Sequence, residues 1–199
     1  MPNPAPTYHP VHELIGRRWS PHAFTNAPVT GEQMRSLFEA ARWAPSSRNE
    51  QPWSFLVALR EDEGQFARFF GCLMPGNQLW AGGASALLLS VAEARRADGS
   101  GNRYAVHDTA LAVANLALQA TSMDLYTHHI GGFDASKARV EFGIPETHDP
   151  VAMMAIGHFA DADTLPEDLR DRERQPRVRK RLGEFVYGGA WGEPADLLS

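Results

Sequence analysis

A chain of 199 residues with 43% hydrophobic and 22% charged residues is long enough to bury one sizeable core, and a single domain over 1–199 is the default reading. A formal net charge of −5 and a pI near 5.9 argue against a general nucleic-acid or anionic-membrane partner, because both usually require a basic surface. The only cysteine, Cys72, excludes an internal disulfide framework and reads as a small buried hydrophobe. The opening MPNPAPTYHP has no basic region followed by an apolar one, and the longest strongly apolar run, Ala84 to Ala92, is too short to span a bilayer. The expectation is a soluble, cytoplasmic protein.

In chain order, the Pro-rich residues 1–8 suggest a flexible or draping arm, and Pro10 suits the first turn of a short helix to about Arg17. Thr30-Gly31-Glu32-Gln33 has the form of a capping box, followed by Met34, Leu37, Phe38 and Ala41 at helical spacing, so a helix to about Trp43 is predicted, stopped by Pro45. Trp53 to Leu59 reads as a strand, Asp62 to Phe70 as a helix, and Ala84 to Ala92 as a buried strand in preference to a short buried helix. Tyr104 to Met123 is the longest helical pattern, apolar on most faces, which predicts a central helix buried nearly all round. Tyr126 to Ile130 begins a strand that runs into Gly131-Gly132-Phe133; Asp134 suits a helix cap, Gly143 its end, and Val151 to Phe159 another strand. From Asp161 to Asp171 the chain is acidic and turn-rich, and it then carries Arg172, Arg174, Arg177, Arg179, Lys180 and Arg181 in a tail that ends FVYGGAWG before the last residues. With little periodic pattern, 161–199 reads as an extended segment that wraps over another surface.

Four clusters stand out. Arg17-Arg18-Trp19-Ser20-Pro21-His22-Ala23-Phe24 could place two guanidiniums, a hydroxyl and an imidazole around one phosphate, or be a solvated basic helix end. Pro45, Ser46, Ser47, Asn49 and Gln51 crowd a loop between helix and strand, as a binding loop or an ordinary polar turn would. His129-Ile130-Gly131-Gly132 lets a flat ligand approach the backbone, or simply turns a strand into a helix. The arginine run suits either a discrete anion or a solvated charge run. Asp108, beside His107, suits a proton donor or a structural carboxylate. No metal-ligand spacing, G-x-S-x-G elbow, P-loop or G-x-G-x-x-G fingerprint occurs.

In order and context these clusters resemble the nitroreductase family of FMN-dependent oxidoreductases, over roughly Val11 to Trp191. The matching segments are Arg17 to Phe24, Ala44 to Trp53, Gly131 to Phe133, Pro150 to Gly157 and Arg177 to Arg181, of which Ala44 to Trp53 is the most specific. The resemblance implies an α+β nitroreductase-like fold, with a central mixed sheet of four to five strands flanked by helices, and an intertwined homodimer that holds FMN at its interface. It places Arg17, Arg18, Trp19, Ser20 and His22 in the cofactor site, with Arg18, Ser20, Arg177 and Arg179 at the phosphate. Pro45, Ser46, Ser47, Asn49 and Gln51 would line the flavin from the partner subunit, and backbone at Ile130, Gly131 and Gly132 would face the ring. His22 stands where the family usually has Arg or Lys, so the cation there would be weaker or pH-dependent. The implied activity is transfer of electrons from NAD(P)H through FMN to a nitroaromatic, quinone or similar small acceptor, with no side-chain nucleophile and no metal. Alternatives are other flavin chemistry on the same fold (dehalogenation, heterocycle oxidation, flavin fragmentation), a non-catalytic flavin-binding protein, or a non-enzymatic module that binds an acidic partner or RNA through the arginine tail.

Overall fold

Four strands and seven α-helices are present among residues 3–198, the part of the chain described by this computed structural model. The arm before the first helix drapes along it, with the Ala5 amide donating to the Gly16 carbonyl at 2.9 Å. Helix α1 (Glu13–Arg17) starts later than Pro10 suggests, at a His12 ring that accepts from the Leu14 amide at 3.3 Å. Helix α2 (Gly31–Arg42) follows a complete capping box: Thr30 Oγ1 accepts from the Gln33 amide at 3.1 Å, and Gln33 Oε1 accepts from the Thr30 amide at 2.8 Å. Strand β1 (Trp53–Leu59) leads to α3 (Glu63–Gly71), capped by Asp62, and to α4 (Pro75–Ala81), which no periodic pattern announced and which places its proline in the first turn. Then come β2 (Ala86–Glu93), α5 (Ala105–Ser122), β3 (Tyr126–Ile130), α6 (Ala135–Phe142), β4 (His148–Gly157) and α7 (Glu167–Arg174). Asp134 caps α6 and Gly143 ends it in the left-handed region at φ 63°, as the sequence predicts. The segment after Asp161, expected to be extended, forms α7 with Leu169 and Glu173 buried, and becomes extended only at Gln175.

The strands form one sheet in the order β1-β2-β4-β3, and every neighbouring pair is antiparallel. The four strands are within the expected four to five, but the expectation of a mixed sheet is corrected: period-2 patterning reports which face a residue takes but carries no information on the direction of the neighbour. Leu87, Leu89 and Val91 of β2 and Met153 and Ala155 of β4 face a core built with Phe66 and Phe69 of α3, Trp80 of α4, Ala138 of α6 and Leu169 of α7. Their alternates, Ala86, Leu88, Met154 and Ile156, face Leu37 of α2 and Ala112, Leu116 and Ala120 of α5. Burial on both faces is why β2 and β4 read as continuous apolar runs rather than as alternating ones. Each fully buried leucine in this three-layer stack contributes roughly 2 kcal/mol of transfer free energy.

Two departures from regularity position the site. Pro150 lies within β4 and has no N–H for the ladder, and there the register slips: Val91 faces Pro150, Ser90 faces Ala152, and Val151 is left over as a bulge. Helix α5 is buried along one stripe only; Val106, Ala110 and Ala114 are exposed, so the all-round burial expected from its composition does not hold within one chain. Among the described residues no helix is long and apolar enough to cross a membrane.

Candidate cofactor site

A groove of about 460 Å³ lies between α5 and the bulged part of β4, lined by Thr109, Val113 and Ala117 of α5, by His129 of β3, by Val151 and Ala152, and by Arg18. The Thr109 hydroxyl at its wall is fully buried and has no hydrogen-bond partner among the described residues. Arg18 follows α1 directly and donates from its guanidinium to Ser20 Oγ at 3.1 Å. The tail returns to the same place: Arg177 donates to the carbonyls of Asn3 at 2.8 Å, Gly16 at 3.3 Å and Arg18 at 3.0 Å. Burial, and then the charge of Arg179, lowers the Arg18 pKa; burial, and then Arg18 and Arg179, lowers that of Arg177. His129 is pushed below its ordinary value by burial first and by Arg18 second. None of these arginines has a carboxylate partner among the described residues. Clustered, partly desolvated cations without a counter-charge are costly, and a dianionic group with several acceptor oxygens would relieve that cost.

Arg17, Trp19 and His22 of the first cluster also make contacts elsewhere within the chain. Arg17 pairs with Asp124 and donates to the Thr121 carbonyl at 3.4 Å, so it closes the C-terminal end of α5, where a cation is favoured. The Trp19 ring packs on Phe159 at 5.5 Å. His22 is drawn inward to Glu173, with the rings of Trp80 and His128 at 5.1 and 4.5 Å.

The polar loop is built under strain. Arg48, Asn49 and Gln51 have φ of 54°, 58° and 50°, a region disfavoured for residues with a Cβ. Two anchors impose it: the Ser47 amide donates to Asp108 Oδ2 at 2.8 Å, and Glu50 pairs with Arg96 at 2.8 Å. Ser46 Oγ accepts from the Gln51 amide at 3.0 Å and closes the turn. Asp108 is 2% exposed and also contacts the His107 ring at 2.8 Å, so its role in the chain is as an anchor. Pro45, Asn49 and Gln51 face outward, and none of the loop residues lines the groove of its own chain.

At the end of β3, Ile130 points into the core, whereas Gly131 continues the face of His129 toward the groove side. A Cβ on Gly131 would meet nothing within 4 Å, and among the described residues the amides of Gly131 and Gly132 find no acceptor. The Gly132 carbonyl instead accepts from the Met74 amide at 3.0 Å and from Asn77 Nδ2 at 2.8 Å, which fixes the turn. Sequence reasoning missed Asn77, Arg96 and Glu173; each acts across the fold, and only Pro75, marking the start of α4, offered a signal near the first.

The Arg18 guanidinium in the wall of an apolar groove, the neighbouring charges of Arg177 and Arg179, and open amides at Gly131 and Gly132 suit a planar cofactor that carries a phosphate, and FMN fits this donor set. The profile of the nitroreductase family matches residues 15–75 and 67–158. An uncharacterised 15.4 kDa protein of Mycolicibacterium smegmatis is 36% identical over 129 residues, covering 65% of this chain and 86% of that protein. A protein of Archaeoglobus fulgidus with the provisional name NADH dehydrogenase/NAD(P)H nitroreductase is 26% identical over 177 residues, covering 84% of this chain and 95% of its own. Among solved structures, an oxidoreductase described as containing FMN superposes with a TM-score of 0.89 at 33% identity, covering 94% of this chain and 96% of that one. A family protein of Clostridium difficile 630 shares the fold with a TM-score of 0.68 at 23% identity, over 89% and 96% of the two chains. With the profile spanning most of the chain over the elements that build the groove, the chain belongs to the nitroreductase family.

Proposed function

We propose that the chain is an FMN-dependent oxidoreductase that draws electrons from NAD(P)H and delivers them to a small electron-poor acceptor such as a nitroaromatic or a quinone. The observation that carries this reading is the group of Arg18, Arg177 and Arg179, without carboxylate partners among the described residues, of which Arg18 lines a groove that also holds His129, two residues before Gly131. Arg18, Ser20, Arg177 and Arg179 hold the phosphate, with forked donors matched to its oxygens. The amides of Gly131 and Gly132 point N–H donors toward an electron-rich ring edge, and the missing side chain at Gly131 lets a flat ring approach. FMN, when bound, supplies the hydride chemistry, so the chain's own residues bind, orient and tune. The FMN of the solved relative at 33% identity and the nicotinamide named for the Archaeoglobus protein support the choice of cofactor and donor.

The reading includes a homodimer. The exposed stripe of Val106, Ala110 and Ala114 on α5 is apolar, and the strained loop presents Asn49 and Gln51 away from its own groove, as a loop serving a second copy would. The test is anaerobic: the purified protein is yellow, and its visible flavin band bleaches with NADH or NADPH and returns with a quinone or nitroaromatic. A bound flavin that neither nicotinamide bleaches would sink the activity, and a monomeric mass with flavin bound would sink the dimer.

A further inference from the structure

The carboxylate of Glu173 is 3% exposed, yet it approaches none of the unpaired arginines of the tail. Its two oxygens accept from the His22 backbone amide at 3.0 and 3.1 Å, and one lies 2.8 Å from His22 Nδ1. A carboxylate that grips the backbone N–H and the ring nitrogen of one residue needs a donor two bonds beyond Cβ, which histidine Nδ1 provides and the longer arginine or lysine does not. Because the carboxylate accepts, the proton sits on Nδ1. The ring is further clamped by Trp80 and by His128, whose own Nδ1 donates to the Pro21 carbonyl at 2.9 Å.

The two ends of this contact bear on the phosphate site. Pro21 and His22 follow Ser20 directly, and Glu173 lies in the last turn of α7, whose Leu169 is anchored in the core. Beyond it the chain turns extended at Gln175 (φ −62°, ψ 142°) and enters Pro176, a stiff link that delivers Arg177 to the Asn3, Gly16 and Arg18 carbonyls. The arginines repel one another and would spread apart without a tether. Glu173 supplies the tether through His22, and among the described residues it forms no ion pair with Arg18, Arg177 or Arg179. We propose that Glu173 is the positioning residue of the phosphate site: by gripping His22 it fixes the end of α7 and sets Arg177 and Arg179 against Arg18 and Ser20 before the anion arrives. This rests on the reading of those arginines as the phosphate site of FMN.

The experiment compares FMN with riboflavin, which lacks the phosphate, by quenching of flavin fluorescence after the flavin of the full-length protein has been removed. Wild type binds FMN more tightly than riboflavin. Glu173→Ala weakens FMN by roughly 10- to 100-fold and leaves riboflavin unchanged. Glu173→Gln, which keeps an oxygen for the His22 amide, recovers part of that loss, and His22→Ala, which keeps only the backbone half of the grip, falls between. Adding Glu173→Ala to the Arg177→Ala/Arg179→Ala variant costs little more, because the tether then has nothing to position. An unchanged ratio of FMN to riboflavin affinity in Glu173→Ala, or equal loss of both, overturns the inference by showing no role or a role in the fold alone. A wild type that does not distinguish the two flavins overturns the phosphate-site reading itself, and the tether with it.

Discussion

Arg177 gives its donors to three backbone carbonyls and none to a carboxylate, so it is fixed in place while its charge stays uncompensated. Replacing Arg177 and Arg179 together by Ala should weaken FMN binding by on the order of 100-fold and barely change riboflavin binding, read by the same fluorescence titration. Gly131 and Gly132 differ in a way the sequence pair conceals. A methyl on Gly131 meets open space, so Gly131→Ala should leave the melting temperature of the flavin-free protein unchanged while lowering flavin affinity and the rate of bleaching by NAD(P)H. A methyl on Gly132 would lie 2.5 Å from Asn77 Nδ2, so Gly132→Ala should also lower the melting temperature. His128 is held neutral: burial, and next the neighbouring His22, push its pKa down to about 4 from 6.5. The unfolded chain therefore takes up the proton first as pH falls, and stability present above pH about 6.5 is lost toward pH about 4, by on the order of 3 kcal/mol. Thermal melts across that range should show the loss, and His128→Asn should flatten it.

Elements whose ends carry side-chain caps were legible. The capping box of α2, the Asp134 cap and the Gly143 stop were all readable because each is a local hydrogen bond or a local backbone requirement. α4 and α7 were not: seven and eight residues long, without a side-chain cap, they are helical because Trp80 and Leu169 dock into the core. The loop at Ser46 to Gln51 was legible as polar but not as strained, since positive φ at Arg48, Asn49 and Gln51 is imposed by Asp108 and Arg96, far along the chain. Asp108→Ala leaves the Ser47 amide without its acceptor and should destabilise the protein by about 1–3 kcal/mol in denaturant melts. Asp108→Asn retains an oxygen and should cost less. Faster limited proteolysis between Pro45 and Gln51 should accompany the alanine variant, and equal cleavage of both proteins would show that the loop does not depend on this anchor.

For the molecule as a whole, the open face of α5 is the feature a single chain does not explain. If a second copy covers it, Ala114→Arg should shift the protein from dimer to monomer in light scattering and release the flavin; an unchanged mass would place the dimer surface elsewhere. By itself the sequence determined the elements stabilised within a few residues, because hydrogen-bonding chemistry and period are written locally. Its family followed from motif order, and the profile match bears that out. Only the tertiary structure decided that all strand neighbours are antiparallel, that β4 carries a bulge beside Pro150, and that Arg18 lines the groove while Arg17, Trp19 and His22 meet Asp124, Phe159 and Glu173. Those outcomes depend on partners such as Asp124, Phe159 and Glu173, distant in the chain and brought close by packing, and no local pattern encodes which partner a side chain will meet.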